Sequence, residues 1–473
     1  MTTAAHPPAR APGALPLVGH LPFLVKTPMA FMQSMRRHGD VVRIQLGPTP
    51  VYVINSPELI DIMLVKQGDD FKRGRLFEMA RHMWGNGLIS TEGDFHLAQR
   101  RLAQPAFHPD RLRGYSRFML AEADALVSSW QHGQVVDIRA PLHHLTCASL
   151  TRSLFSYSID DDQVSEITRS MATMLKGVLV RTLAPDAIGR LPLPGNRDFN
   201  RSKASLQRIV QEIIEDYVRR GDEDSGDLLS ALVAAKDQDT GSTMSSEQLH
   251  DEVKTLLIAG TETATTTLCW LFYELDRNPH LYARHLAEVD AVLDGRPVQV
   301  DDIPKLEFTA DLINETLRLY TPNWLLMRET KKPIIFKGVE IPAGAELVYS
   351  LTAMHRDEAL FEDALAFNPD RWRKKTDKTK CLPFGAGRHK CIGDRFATME
   401  MVLFMAAISA RWRLVGLPGQ KMRVHRSPAL VPSRQRMITV DRGLVDPGPV
   451  DQGAQGRPTT TAACPAHKGR DHL

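Results

Sequence analysis

The chain has 473 residues, 43% of them hydrophobic and 24% charged, with a formal net charge of +3. The composition is that of an ordinary globular protein, and the charge is too small to imply nucleic acid, so none is expected as a partner. Five cysteines, Cys147, Cys269, Cys381, Cys391 and Cys464, are odd in number and widely spaced, with no CxxC pair. They argue against a disulfide framework and against zinc, and for a reducing compartment.

Residues 1–11 read as a flexible segment that is small, polar and proline-rich, with no apolar run of signal-peptide or membrane-anchor length. Val41–Leu46 and Val51–Ile54 are β-type runs flanking Gly47-Pro48-Thr49-Pro50, a hairpin signal. His96 and Arg100 follow at i, i+4 on one helix face. Helical periodicity then dominates, over Leu112–Gln131, Ser202–Arg219, Ser246–Arg277, Pro279–Leu293, Thr309–Tyr320 and Gly393–Trp412. A second β region covers Ile334–Ile341 and Ala345–Tyr349, with Pro342-Ala343-Gly344 as its turn. This order predicts one mostly α domain with small β-sheets rather than an alternating α/β fold.

The helix over Ser246–Arg277 begins with a capping box, Ser245-Ser246-Glu247-Gln248, and Pro279 ends it. In its middle lies Ala259-Gly260-Thr261-Glu262-Thr263. Glycine weakens the helix there, and Thr263 can bond back to the Ala259 carbonyl, which together open a small groove. An acid beside an alcohol can pass protons. Glu315 and Arg318 share a helix face at i, i+3 among leucines, so part of the pair should be buried. Arg328 lies six residues after Pro322, and Arg371 sits in Phe367-Asn368-Pro369-Asp370-Arg371-Trp372. A basic segment runs over Arg373–Lys380.

The most informative stretch is Phe384-Gly385-Ala386-Gly387-Arg388-His389-Lys390-Cys391-Ile392-Gly393. One cysteine stands in a glycine-rich loop with basic neighbours and a helix directly after it. That is the arrangement a haem iron held by a single thiolate requires. Residues 445–473, rich in Gly, Pro, Thr and Gln, read as a disordered tail.

These motifs resemble those of the cytochrome P-450 superfamily over about Pro12 to Leu444. The resemblance implies the cytochrome P-450 fold as a single large domain, residues 12–444, holding heme b. Cys391 would be the axial ligand of the iron, with Phe384, Gly387 and Gly393 shaping its loop. His96, Arg100, Arg328 and His389 would hold the propionates. Thr263 would hold oxygen and Glu262, with water, would relay protons, although Ala264 stands where many members have Thr or Ser. Glu315, Arg318 and Arg371 would form a structural network. The proline-rich start Pro12–His20 resembles members without a membrane helix, which implies a cytoplasmic protein of bacterial type.

The implied activity is a monooxygenase using O2 and electrons ultimately from NAD(P)H. Those electrons would arrive through separate proteins, a ferredoxin and its reductase or a flavodoxin-type donor, steered to the basic segment near Cys391. The expected pocket residues Ala259, Trp324, Leu325, Leu326 and Leu430 carry no charge, and Met83, Met171, Met174 and Val178 extend the apolar lining. A neutral lipophilic substrate is therefore expected, a terpenoid or other polycyclic hydrocarbon of bacterial secondary metabolism. The alternative is a fatty acid, its carboxylate held by Arg75 or Arg81 in a loop. A haem-thiolate sensor is the non-enzymatic alternative. It would need no proton relay and would normally carry an output domain.

Overall fold

A computed structural model describes residues 6–183, 191, 193–221, 226–234, 243–374, 379–420, 422 and 430–444. The expected tail over 445–473, with Cys464, lies outside them. The strands are β1 (Ala9–Arg10), β2 (Val41–Leu46), β3 (Thr49–Ile54), β4 (Phe71–Arg73), β5 (Val135–Asp137), β6 (Leu325–Thr330), β7 (Ile334–Phe336), β8 (Val339–Ile341), β9 (Glu346–Ser350), β10 (Trp412–Gly416) and β11 (Arg436–Asp441). The longer helices are α1 (Arg75–Trp84), α2 (Gly93–Ala103), α3 (Pro109–Ser129), α4 (Arg139–Phe155), α5 (Asp161–Leu183), α6 (Pro194–Arg220), α7 (Ser246–Arg277), α8 (Pro279–Leu293), α9 (Glu307–Leu319) and α10 (Asp394–Arg411). The expected mostly helical fold with small sheets is what the chain adopts.

Three sheets form, in the orders β1-β2-β3-β9-β6-β4, β10-β11-β5 and β7-β8. In the hairpin β2–β3, Val42 faces Val53 and Ile44 faces Val51, all buried, which is the alternation that pins a register. Pro342-Ala343-Gly344, the expected turn, lies between strands that do not pair with each other. The strands before and after it enter different sheets, because β8 pairs with β7 while β9 pairs with β3 and β6. Residues 1–11 are not wholly loose either: Ala9 and Arg10 pair with Val42 and Arg43 of β2, and Ala11 N donates to Arg43 O at 3.0 Å.

Helix α7 has the predicted bounds. The Ser245 hydroxyl accepts the Gln248 N–H at 3.2 Å, which satisfies one of the four free donors of the first turn. The helix packs along α4 and against α6, α9 and α10. Leu257, Leu268, Leu271 and Phe272 are wholly buried, each contributing about 1.5–3 kcal/mol of transfer free energy. Its first half is tied to the segment after α1: Asp251 accepts from Asn86 N at 2.7 Å and Glu252 from Leu88 N at 3.0 Å. Gly85 and Gly87 have no room for a Cβ against Asp251 and Thr255, so this close approach needs glycine.

Candidate active site

The cysteine loop closes on itself. Gly385 N donates to Leu382 O at 2.9 Å, Cys391 N to Phe384 O at 2.9 Å, and Lys390 N to Gly387 O at 3.1 Å. Gly387 has φ +69°, and a Cβ on it would overlap the backbone carbonyl of Leu64. The Cys391 side chain is accessible, yet its thiol pKa is raised, chiefly by burial. The Gly393 N–H bonded to it, and the charges of Arg100 and Lys390, act the other way, while Asp394 adds to the rise. The N-terminus of α10, one turn on, also favours an anion at this point.

Beside the loop, cations converge. Arg73 of β4 and Arg328 of β6 stand directly opposite each other in an antiparallel pair, and are 8% and 7% exposed. Like charges in that register repel. Arg73 Nη2 donates to His389 Nδ1 at 3.0 Å, and the same nitrogen of His389 lies 3.2 Å from His96 Nε2. Arg100 donates to the Lys390 carbonyl at 2.7 Å. Against these stands one carboxylate, Glu92, 3.2 Å from His389 Nε2 and accepting the Arg73 N–H at 2.6 Å. Burial, then Arg328, pulls the Arg73 guanidinium down to about 9. Burial, then His389 and Arg73, pulls His96 down to about 3.

Arg73 Nε and His96 Nδ1 are buried without a hydrogen-bond partner. This donor set is built for more negative charge than the chain itself supplies. A haem, with two propionates for the cations and an iron for the Cys391 sulfur, fits it. Arg73 was not singled out in the sequence, because a three-residue strand carries too little pattern to place its side chain.

Helix α7 carries the second motif. Within Asp251–Phe272 every residue is buried except Ala259, Gly260 and Thr263, whose spacing sets Ala259 and Thr263 on one face. Thr263 Oγ1 donates back to Ala259 O at 2.8 Å, as its sequence position suggests. Thr261, Thr265 and Thr267 make the same i−4 bond, which competes with the helix ladder along this stretch. A Cβ on Gly260 would meet Leu150 of α4. Glu262 is committed to α4: Arg139 Nη2 donates to its two oxygens at 2.7 and 2.9 Å, and His143 Nε2 lies 3.7 Å away. Neither Arg139 nor His143 was visible as a partner in the sequence, because the contact spans more than a hundred residues.

Glu315 and Arg318 are wholly buried. Glu315 accepts from Arg318 Nε and Nη2 at 2.9 and 2.7 Å, from Arg371 Nε at 2.9 Å, from Trp372 Nε1 at 3.0 Å and from Asn368 N at 2.9 Å. The expected network thus forms, with Trp372 added.

The expected pocket residues divide. Ala259 is partly exposed on α7. Leu325 and Leu326 are half-buried on successive positions of β6, so they face opposite sides of the sheet. Trp324 and Leu430 belong instead to a core cluster with Met32, Val53 and Val348, and Met83, Met171, Met174 and Val178 are core as well. Pro428 and Ala429 lie outside the described residues.

Arg75 and Arg81 sit on helix α1 rather than in a loop. Arg75 Nε donates to Thr182 O at 3.0 Å and Arg81 Nη2 to Ser90 O at 2.9 Å. The basic segment is partly neutralised: Arg373 pairs with Glu307 and Asp311, Arg388 with Asp69, and Lys390 with Asp394. Lys375 and Lys378 are outside the described residues. No helix among the described residues is long and apolar enough to cross a membrane.

A family model described as Cytochrome P450 matches residues 8–440. The chain is 39% identical to cyclooctatin synthase of Streptomyces melanosporofaciens, over 93% of this chain and 99% of that protein. It is 39% identical to cyclooctat-9-en-7-ol 5-monooxygenase of the same organism, over 86% of this chain and 90% of that one. To pentalenene oxygenase of Streptomyces avermitilis it is 38% identical, over 87% and 92%.

Proposed function

This chain belongs to the cytochrome P450 family and is a monooxygenase of it, and from that premise we propose that it oxidises a neutral terpenoid in bacterial secondary metabolism. The observation that carries the reading is the set of relatives, which are similar over nearly their whole length and whose names include a cyclooctatenol monooxygenase and a pentalenene oxygenase. The haem, when bound, supplies the redox chemistry that activates O2.

The residues of the chain do the rest. Cys391 Sγ would hold the haem iron, its negative charge supported by the Gly393 N–H and Arg100. Arg73, His96, Arg100, Arg328 and His389 hold the propionates. Phe384, Gly387 and Gly393 set the shape of the ligand loop. Ala259 and the partly exposed stretch of α7 border the substrate, with Leu325 or Leu326. Thr263 orients oxygen and water through its hydroxyl, which is free to leave the Ala259 carbonyl. Glu262, next to it in the chain, relays protons with water. Electrons come from separate proteins, a ferredoxin with an NAD(P)H-dependent reductase or a flavodoxin-type donor, and the protein works in the cytoplasm.

The engagement of Arg75 and Arg81 with backbone carbonyls supports a neutral substrate over a fatty acid. Titrating the ferric protein with a neutral sesquiterpene and with a fatty acid of similar carbon count separates the two by the shift of the Soret band. The terpene should bind with micromolar affinity, since about 25 cal/mol per Å² of buried apolar area suffices without an ion pair. Tight binding of the fatty acid alone would refute the substrate class. Cys391→His should abolish the thiolate-type Soret band of the reduced carbon-monoxide complex, and survival of that band would refute the ligand assignment.

A further inference from the structure

A surface cleft of about 680 Å³ opens between α3, α4 and α5, and its wall includes Glu122, His144, Asp161, Ser165 and Thr168. On its rim His144 Nδ1 lies 2.9 Å from Asp161 Oδ1. Thr168 is the point where the cleft meets the interior. Its Oγ1 lies 3.0 Å from Nδ1 of His143, a side chain only 2% exposed. The other ring nitrogen, Nε2, is buried without a hydrogen-bond partner and lies 3.7 Å from Glu262 Oε2. Leaving such an atom unsatisfied is costly to the fold. The structural network around α4 gives no reason for that cost, since Arg139 already neutralises Glu262. Three side chains on three helices therefore make a line from the cleft to the residue next to Thr263, with one 3.7 Å gap between His143 and Glu262.

We propose that Thr168 and His143 form the inlet through which protons pass from this cleft to Glu262. The proposal rests on the proton-relaying role given to Glu262 above. Thr168 has one hydroxyl hydrogen and two acceptors for it, His143 Nδ1 and the Val164 carbonyl at 2.8 Å. With the hydroxyl on Val164, the ring carries its hydrogen on Nδ1 and donates to Thr168. With the hydroxyl turned to the ring, Nδ1 accepts and Nε2 carries the hydrogen, aimed at Glu262.

In the second arrangement a hydronium ion in the cleft gives a proton to Thr168 Oγ1. The hydroxyl's own hydrogen moves to Nδ1, and the Nε2–H bond breaks as a proton passes to Glu262 Oε2, directly or through one water across the 3.7 Å gap. Water is left in the cleft, the carboxyl has gained one proton, and the ring stands in its Nδ1–H form. That form is the one the first arrangement accommodates, and before a second proton can follow the ring must exchange with water, losing the hydrogen on Nδ1 and gaining one on Nε2. The imidazole stays neutral at rest, because burial, then the charges of Arg139 and His144, pulls it down to about 3. Charged groups facing it are Glu262 and Arg139, with His144 on its own helix.

The test compares Thr168→Val, which keeps the shape and loses the hydroxyl, with Thr168→Ser, which keeps the hydroxyl. Glu262→Gln is the reference. Each is assayed as holoenzyme with a ferredoxin pair and a neutral sesquiterpene, reading turnover in H2O and D2O and product formed per NADPH. We expect Thr168→Val to slow turnover roughly tenfold with a larger solvent isotope effect. That falls short of the roughly hundredfold that marks loss of a positioned acid–base group itself. Thr168→Ser should match wild type, and Thr168→Val should add nothing in the Glu262→Gln background.

A second readout needs no turnover. The ¹⁵N signals of His143 in the cofactor-free protein should report both tautomers in wild type and Thr168→Ser, and the Nε2–H form alone in Thr168→Val. Slow Glu262→Gln with normal Thr168→Val would overturn the inlet and leave the role of Glu262 standing. Normal Glu262→Gln would overturn that role and the inlet with it. Equal loss in the valine and serine variants would show that the hydroxyl is not the working group.

Discussion

Two arginine clusters lie inside this protein, and they are balanced in opposite ways. Arg318 spends all five of its N–H donors: two on Glu315, one each on the carbonyls of His355, Ala364 and Ala366. Arg73, also buried, leaves Nε without a hydrogen bond, 3.8 Å from Glu92, and faces Arg328 across a strand pair. A buried charge fully paired within the chain is scaffold. A buried charge left under-paired marks a place where the fold expects something from outside. The two clusters are alike in composition, and only the accounting of hydrogen bonds distinguishes them.

The sharpest way to break this contrast is Arg318→Met. It removes two of the five hydrogen bonds to the buried Glu315, leaving Arg371 as its cation, and should cost about 3–5 kcal/mol, seen as a lowered melting temperature whether or not the cofactor is loaded. Arg73→Met and Arg328→Met should do the reverse. They should speed haem loss to an acceptor protein by about 10–100-fold, while the cofactor-free protein holds its denaturant midpoint or gains on the order of 1 kcal/mol from relief of repulsion. A fall in cofactor-free stability equal to that of Arg318→Met would erase the distinction.

Glu400 sharpens it from a third side. It is 1% exposed, its one hydrogen-bond partner among the described residues is Ser149 at 2.7 Å, and burial raises its carboxyl to about 8 against the lowering effect of that hydroxyl. Here the charge is managed by taking a proton. The native state then holds more protons than the unfolded one between about pH 4.5 and pH 8. Stability should fall with rising pH in that window, by on the order of 1 kcal/mol per pH unit. Glu400→Gln should flatten the slope, read from urea midpoints at pH 5 and pH 8. The smallest effect belongs to the exposed pair Arg113–Asp301 at 2.5 Å, where Asp301→Asn should change stability by less than about 0.5 kcal/mol.

What could be read from the sequence follows the range of the interaction. Helices α7 and α8 have the bounds their caps and prolines announce, and Glu315, Arg318 and Arg371 meet as their spacing suggests. Helix α4 went unrecognised because Leu142, His143 and Leu145 through Thr151 are buried around its whole circumference, which leaves no polar stripe to betray a period. Its Arg139 and His143 were missed with it. Arg75 and Arg81 look like free loop cations until their carbonyl partners are seen, and the run after Arg373 looks more positive than its pairing leaves it.

Gly387 joins the two ends of the chain. Its contact with the Leu64 carbonyl means that the loop bearing Cys391 takes its shape against a segment synthesised more than three hundred residues earlier. On a ribosome the first partner waits, already made, while the second is among the last parts to emerge. Cofactor capture would thereby be deferred until almost the whole polypeptide is present, since a chain cut short before this loop has every arginine of the cradle but lacks the cysteine proposed to hold the iron.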